Sequence, residues 1–193
     1  MKPFCSGGTG DVRLLQSLQP AELSDAEMNP FYFAQPVAPA AAGQGKIKLR
    51  EVLKKINQIK AKCDQLIIEG SGGLLVPLSK DFLVADLIAA LDCQVIVAAR
   101  NRLGTINHTL LTVQALQSIG IRPERISVVL MAGGRTDISC RTNKKIMTDW
   151  LKPIPFFEIP FLGNQKFSAK RVEKSYPRVT KILTKLVAAS KLC

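Results

Sequence analysis

Residues 93–131 read CQVIVAARNRLGTINHTLLTVQALQSIGIRPERISVVLM, and this stretch decides the fold. Residues 93–99 and 125–131 at its two ends are continuous apolar runs rich in β-branched side chains, which is typical of strands buried on both faces. Residues 105–119 between them have a helical pattern that stops at Gly120, a residue favoured after helix C-termini. The stretch therefore predicts two parallel strands connected by a helix.

The same alternation of strands and helices continues on both sides of this unit. Residues 65–69 (QLIIE) and 155–159 are short apolar segments that predict strands. Helices are predicted over residues 81–91 and 141–151, and an amphipathic basic helix over 166–191 closes the chain. Alternating elements of this kind predict an α/β fold with a parallel sheet covered by helices on both faces.

Length and composition indicate one globular domain over residues 1–193. Hydrophobic residues make up 47% of the chain, yet no apolar run reaches the roughly 20 residues that a membrane helix needs. The N-terminus lacks the apolar core of a signal peptide. The five cysteines are scattered without a CxxC pair, which predicts reduced thiols in a cytoplasmic protein rather than a zinc site.

The formal charge of +12 is the strongest bias in the composition. Much of it lies in two helix-like stretches, residues 46–62 and 166–191, where lysines alternate with apolar residues at helical spacing. This pattern favours solvated basic helix faces, while a surface that binds a polyanion stays open as the alternative. Since the chain has no recognised nucleic-acid-binding motif and only one Trp and two Tyr, we expect no nucleic-acid partner and no membrane association.

The segment at residues 28–42, MNPFYFAQPVAPAAA, departs from the alternation. Its prolines argue against a central strand, since proline cannot donate to a sheet ladder. The segment is therefore predicted as an ordered but irregular excursion or a surface loop.

Ligands of open parallel sheets bind at the carboxyl ends of the strands, here after Glu69, Ala99, Met131 and Ile159. Glu69 ends its predicted strand and precedes three glycines in IIEGSGGLLVPLS, residues 67–79. A carboxylate there is able to hold Mg²⁺, and the glycines allow a phosphate or substrate to approach the backbone. A tight turn with a solvated glutamate is the alternative interpretation.

Two further groups are candidates for anion chemistry. Lys2 carries a charge that suits a developing anion, and Asp11 follows as a second carboxylate for magnesium. Residues 103–107 (LGTIN) open a predicted helix, where free N–H groups attract anions. His108, the single histidine, is interpreted as a polar residue of the first helical turn rather than as a catalyst.

Five segments, in order and spread over nearly the whole chain, resemble motifs of the dethiobiotin synthetase family. They are KPFCSG (KPxxSG), NPFYFAQPVAP (NPxxFxxPxxP), EGSGGLLVPLS (EGxGGxxxPLS), LGTINHTLLT (LGxINHxxLT) and EIPFL (EIPxL). The resemblance implies a P-loop-NTPase-like fold of three layers. It also implies an ATP-dependent ligase of biotin biosynthesis, which carboxylates 7,8-diaminopelargonate with CO2 to a carbamate. ATP and Mg²⁺ then convert the carbamate to a phosphorylated anhydride, and the ureido ring closes to dethiobiotin.

The resemblance also implies roles for individual residues. Lys2 is implied as the active-site lysine, Ser6 as a substrate contact, and Asp11 and Glu69 as magnesium ligands. Leu103, Gly104, Thr105 and Asn107 are implied to bind the substrate carboxylate across a homodimer interface. The nucleotide-binding residues implied by the resemblance are Glu69, Gly70, Ser71, Gly72, Met131, Ala132, Pro160, Phe161 and Leu162.

Two departures from the family pattern define the alternatives. These 193 residues contain no GxxxxGK[ST] loop, so the N-terminal strand and P-loop of the fold are expected to be absent from this truncated chain. Met131 stands where the family has an adenine-reading Asn, and a thioether lacks the hydrogen-bonding edge of an amide. The alternatives are an inactive relic that acts only as a binding module, or another P-loop ligase such as a cobyrinate amidase-like enzyme.

Overall fold

The computed structural model describes residues 1–19, 23–42, 46–134, 137–163 and 169–189. They form two compact units, of which the first is Met1–Leu91 and the second begins at Asp92. The described part of the first unit contains a two-stranded sheet, and that of the second contains a three-stranded sheet.

The described residues of the first unit form two short parallel strands and five helices. Its strands are β1 (Phe4–Ser6) and β2 (Phe31–Phe33), and its helices are α1 (Gly10–Ser17), α2 (Asp25–Met28), α3 (Pro39–Ala42), α4 (Leu49–Lys60) and α5 (Val84–Leu91). Phe4 lies opposite Phe31 in the β1–β2 register, and their rings stack with centroids 5.0 Å apart. This aromatic pair aligns the two strands despite their length of three residues.

Helix α4 supplies much of the apolar core of the first unit. Val52, Ile56 and Ile59 recur at helical spacing and are at most 4% exposed. They belong to one cluster with Phe4 and Phe82. Burial of each such side chain contributes about 1.5–3 kcal/mol, and this cluster anchors the chain segment that begins at Met1.

The second unit contains a parallel three-stranded sheet. Its elements are β3 (Val95–Arg100), α6 (Thr105–Ser118), a 3-10 turn (Pro123–Arg125), β4 (Ile126–Met131), α7 (Cys140–Trp150), β5 (Phe156–Ile159) and α8 (Ala169–Ala189). The strand order is β3-β4-β5, with Arg100 opposite Met131 and Met131 opposite Ile159. The central strand β4 is buried from Ile126 to Leu130, as a continuous apolar run requires.

The predicted α/β fold of the P-loop-NTPase type is confirmed, and most elements lie within two residues of their predicted bounds. The helix predicted over residues 81–91 begins later, at Val84. There the Asp86 carboxylate accepts a hydrogen bond from the Leu83 N–H at 2.7 Å. The basic helix is observed over Ala169–Ala189, and the remainder of residues 166–191 lies outside the described residues.

Two local predictions are wrong. Residues 65–69 form no regular strand. Met1 N donates a hydrogen bond to the Ile67 carbonyl, and Glu69 N–H donates to the Met1 carbonyl. Ile67 remains 73% exposed. Residues 28–42 are not wholly irregular, because β2 lies within them. The prolines of this segment flank Phe31–Phe33 rather than interrupt it, so the strand retains its N–H donors.

Within the described ranges, every helix is too short or too polar to cross a membrane.

Candidate functional site

A lysine and two carboxylates meet in the first unit. The Lys2 ammonium lies 2.9 Å from Asp11 Oδ2 and 2.5 Å from Glu69 Oε1. The lysine side chain is 10% exposed, whereas those of Asp11 and Glu69 are 67% and 48% exposed. Residues from the two ends of this unit's sequence thus converge on one nitrogen, with the carboxylates open to solvent.

Asn29 fixes the backbone that carries Lys2. Its side-chain amide donates to the Lys2 carbonyl at 2.7 Å and to the Pro3 carbonyl at 3.3 Å, while Lys2 N–H donates to the Met28 carbonyl. Asn29 is 8% exposed, so these bonds are shielded from water. Sequence reasoning assigned no role to Asn29, although the Asn-Pro dipeptide that opens NPFYFAQPVAP was the available signal.

The surroundings of Lys2 keep it charged. Burial alone lowers the pKa of Lys2, but hydrogen bonds and charges from Glu69 and Asp11 outweigh burial and raise this pKa above its ordinary value. Lys2 is therefore a cation at neutral pH. It is suited to stabilise an anion rather than to act as a base or nucleophile.

The carboxylate pair fits a hard divalent cation. Asp11 and Glu69 supply oxygen ligands, and Lys2 offsets one of their two negative charges. Magnesium uses one or two protein carboxylates and keeps several waters or phosphate oxygens. In the described part of the chain, no group of three or more His, Cys, Asp or Glu side chains gathers at one point. These residues therefore do not supply a complete set of protein ligands. Asp11 and Glu69 suit a magnesium ion that keeps several water or phosphate ligands.

Ser6 lies at the end of β1, one residue before a turn. Its hydroxyl oxygen is buried and has no hydrogen-bond partner among the described residues. An unpaired buried hydroxyl costs about 1–3 kcal/mol. Gly7 follows with φ +84, and its N–H donates to the Phe33 carbonyl at 2.9 Å. The hydroxyl thus has unused capacity for a polar atom of a ligand.

The turn after Glu69 requires glycine at one position. Glu69 N–H donates to the Met1 carbonyl at 2.9 Å, which holds the carboxylate beside the Lys2 segment. Gly72 has φ +76, and a Cβ there would lie 2.9 Å from Val76 Cγ2. Gly70 is exposed and Ser71 is half-buried. Residues 69–72 therefore present accessible backbone in a conformation that a larger residue at position 72 would disturb.

In the second unit, two predicted nucleotide segments lie side by side. Met131 ends β4 opposite Ile159, and Ala132 N–H donates to the Ile159 carbonyl at 2.9 Å. Pro160, Phe161 and Leu162 follow directly, and all three are half-buried. The parallel register thus brings Met131, Ala132 and residues 160–162 to one edge of the sheet. Glu69, Gly70, Ser71 and Gly72 belong to the first unit.

The start of α6 has the geometry of an anion site. Gly104 precedes the helix with φ +88, and a Cβ there would meet only His108 Cε1 at 3.9 Å. Glycine is therefore favoured at position 104 by its positive φ, since a side chain there would not collide with the rest of the chain. Leu103 is 79% exposed, while Thr105 is 5% exposed. In the described residues, the N–H groups of Gly104, Ile106 and Asn107 find no protein acceptor.

A cavity of about 180 Å³ adjoins this helix start. It lies between β3 and α6, and Arg100, Arg102, Thr105 and His108 are among its lining residues. The surroundings of the α6 N-terminus are therefore cationic as well as rich in N–H donors.

Comparisons with known proteins identify the family of the chain. A family model described as an AAA domain matches residues 1–145. The ATP-dependent dethiobiotin synthetase BioD of Bacillus licheniformis is 42% identical over 170 residues, which cover 84% of this chain and 69% of the relative. The protein of that name from Methanococcus vannielii is also 42% identical over 170 residues, covering 86% and 72%. The chain belongs to the dethiobiotin synthetase family.

The match to dethiobiotin synthetases is shorter for other relatives. The BioD of Bacillus subtilis strain 168 is 43% identical over 128 residues, which cover 62% of this chain and 55% of that protein. In this chain, the structure groups Lys2, Asp11 and Glu69 in the first unit. In the second unit, it groups the ends of β4 and β5.

Proposed function

We propose that these residues belong to an ATP-dependent cyclo-ligase, which converts 7,8-diaminopelargonate and CO2 to dethiobiotin in biotin biosynthesis. The observation that carries the proposal is the convergence of Lys2, Asp11 and Glu69, which places a permanent cation between two solvent-open carboxylates. The names of its relatives, ATP-dependent dethiobiotin synthetases, support the same chemistry.

Lys2 is proposed to stabilise the anions of the reaction. A carbamate forms when a diaminopelargonate amine attacks CO2 and loses a proton, and the product carries a new negative charge. Lys2 is protonated and largely desolvated, so it offers a preorganised positive charge to that group and to its phosphorylated anhydride. Asn29 holds the Lys2 backbone in place, and the Ser6 hydroxyl is proposed as a contact to the same substrate.

Asp11 and Glu69 are proposed to hold Mg²⁺. When bound there, the ion would neutralise charge on the phosphate oxygens of ATP. In the first unit, residues 69–72 are proposed as nucleotide contacts through accessible backbone. In the second unit, the proposed nucleotide contacts are Met131, Ala132, Pro160, Phe161 and Leu162. Because Met131 offers no amide edge, adenine is expected to be held there by packing rather than by hydrogen bonds.

The helix start at Leu103, Gly104, Thr105 and Asn107 is proposed to bind the carboxylate of diaminopelargonate. N–H groups of Gly104 and Asn107 lack protein acceptors in the described chain, and the helix N-terminus carries partial positive charge. We further propose that this site is completed across a homodimer, and that residues 1–193 belong to one domain of a cytoplasmic protein.

Carbamate formation needs neither nucleotide nor phosphate transfer, so the chain itself is suitable for a test. The 193-residue protein is mixed with diaminopelargonate and ¹³C-labelled bicarbonate, and ¹³C NMR is used to follow a carbamate signal that saturates with protein concentration. We expect the parent to stabilise the carbamate. Lys2→Met should reduce its population by about ten-fold or more, the effect of losing a charged hydrogen bond worth ~1.5–3 kcal/mol.

Lys62→Met is the matched control, because Lys62 also forms an ion pair in the first unit, with Glu27, and lies outside the site. This variant should retain the parent's carbamate signal. An equal loss in Lys2→Met and Lys62→Met, or no protein-dependent carbamate in the parent, would refute the proposed function.

A further inference from the structure

A buried polar network ties the loop before α6 to the start of α7. Asn143 is 2% exposed, and its side-chain amide donates to Asn101 Oδ1 at 2.9 Å and to the Arg102 carbonyl at 3.3 Å. Asn101 in turn donates to the Cys140 carbonyl at 3.2 Å. Buried amides are retained only when their hydrogen bonds are satisfied, so this pair fixes one arrangement of the two segments.

The same loop is held at its next residues. Leu103 N–H donates to Asp137 Oδ2 at 3.2 Å, and Thr105 N–H donates to the Arg102 carbonyl at 3.2 Å. The Asp137 carboxylate also accepts hydrogen bonds from Ser139 at the start of α7. The Arg102 carbonyl is therefore shared between Asn143 and Thr105, and it links the buried amide directly to the first turn of α6.

The fixed loop leaves three N–H groups at the start of α6 available. With Leu103 and Thr105 already bonded to the protein, the N–H groups of Gly104, Ile106 and Asn107 have no acceptor among the described residues. A loop free to rearrange would turn these donors toward nearby carbonyl groups. A fixed loop keeps them available for an anion, which is how preorganised donors strengthen binding.

We propose that Asn143 is a positioning residue for the substrate carboxylate, because through Asn101 and Arg102 it holds Leu103–Thr105 in the conformation that leaves the α6 donors free. This inference rests on the proposed function, which assigns the carboxylate of diaminopelargonate to this helix start. Asn143 itself is buried and does not contact the substrate. Its sequence context gives no hint of the role, since a polar residue on a helix is ordinarily exposed.

The test compares two ligands in three proteins. Calorimetry measures the binding of diaminopelargonate and of its methyl ester, which lacks the charge, to the parent, Asn143→Ala and Asn143→Leu. Asn143→Leu keeps a similar volume and loses the donors without adding a charge. Both variants should bind the acid up to about thirty-fold more weakly, the largest factor typical of a helix-terminus interaction. Binding of the ester should be unchanged, because the ester does not use the charge of this site.

Met147→Ala is the control for a merely structural effect. Met147 is fully buried one turn further along α7, and its thioether side chain has no N–H or O–H group with which to hold the loop. It should lower thermal stability without changing the ratio of acid to ester binding. Amide hydrogen exchange at Leu103 and Thr105 should accelerate by about ten-fold or more in the Asn143 variants, relative to Met147→Ala at equal stability.

The outcomes separate the two proposals. If the parent prefers the acid but the Asn143 variants weaken acid and ester equally, the positioning role is overturned while the proposed function stands. If the parent binds acid and ester equally or binds neither, the substrate assignment fails, and the positioning proposal fails with it.

Discussion

Lys2 partly neutralises the charge of two carboxylates, those of Asp11 and Glu69. Its stem is buried, and its ammonium holds Asp11 and Glu69 within hydrogen-bonding distance. The two carboxylates would otherwise repel each other, so the lysine stabilises the arrangement in which they face a common point. A divalent cation at that point would compete with Lys2 for the same oxygens.

Lys2→Met should therefore raise the affinity of the first unit for Mg²⁺ or its probe Mn²⁺. Methionine keeps an unbranched buried stem, while the competing charge is lost. Because both carboxylates are well exposed, the expected gain is at most about five-fold, corresponding to the ~0.2–1 kcal/mol typical of exposed pairs. Electron paramagnetic resonance of Mn²⁺ measures it directly.

Two variants accompany this measurement. Glu69→Gln should shift Mn²⁺ affinity downward, and Lys54→Met, at an exposed position of α4, should leave it unchanged. Weaker Mn²⁺ binding in Lys2→Met than in the parent would mean that the carboxylates do not act as a cation site.

At the scale of an element, α2 depends on a carboxylate at its third position. Glu27 Oε2 accepts hydrogen bonds from Ser24 N–H at 2.9 Å and from Ser24 Oγ at 2.8 Å, and Lys62 pairs with the other oxygen. The Lys62 hydrogen bond, followed by the two from Ser24, lowers the pKa of Glu27 from 4.5 to about 2. A helix of four residues needs such a cap, because most of its N–H groups have no partner within the helix.

A depressed carboxylate pKa makes stability depend on pH in a defined window. The contribution of Glu27 is fully present above pH 4.5 and is lost as pH falls from 4.5 toward about 2. Glu27→Gln should therefore destabilise the protein at pH 6 and have little effect near pH 2. Urea unfolding of parent and variant across this range gives the difference.

The Lys62→Met variant separates the contribution of Lys62 to the Glu27 pKa from that of Ser24. In this variant the pKa of Glu27 should lie closer to 4.5, because the Ser24 hydrogen bonds remain while the largest contribution is removed. The pH range over which Glu27 affects stability should therefore be narrower. A constant difference between parent and Glu27→Gln from pH 6 to pH 2 would contradict the assigned cause.

The same elements show where sequence analysis succeeds. Strands β3 and β4 and helix α6 follow from residues 93–131, because continuous apolar runs and the glycines at 104 and 120 are local signals. Strands β1 and β2 were missed, since three residues are too few to show a period. Residues 65–69 have the apolar pattern of a strand, but they form no regular strand in the structure and bond to Met1 at Ile67 and Glu69. Strand formation depends on the partner as well as on the segment.

Some residues of the candidate site could be predicted from the sequence and others could not. The residues alone suggested Lys2, Asp11 and Glu69 as candidates for anion and magnesium chemistry, but they did not show that the three side chains meet, because Glu69 lies 67 positions from Lys2 in the sequence. Asn29 and Asn143 escaped notice because an asparagine in a turn or a helix is usually solvated. Their burial is decided by tertiary packing, which no local pattern encodes.

For the whole molecule, a polypeptide of these 193 residues should not turn over ATP at a useful rate. Its sequence lacks GxxxxGK[ST], whose backbone and lysine stabilise charge on the transferred phosphoryl group. Phosphate release is measured with diaminopelargonate, bicarbonate and Mg²⁺, with the Bacillus licheniformis relative in the same assay for comparison. Turnover on the order of 1 per second or faster, the range of ordinary enzymes, would show that other residues replace this loop.

The position of β3 at the margin of its sheet has a consequence for handling the protein in solution. Its outer backbone groups have no strand beside them in the described sheet, and Ile96 is 42% exposed. Such a margin is a template for edge-to-edge aggregation between copies. The formal charge of +12 opposes this association through mutual repulsion, which has a range of about 10 Å at 0.1 M salt and about 3 Å at 1 M. Colloidal stability should therefore decline with ionic strength, so that concentrated salt promotes precipitation under conditions that leave the fold intact.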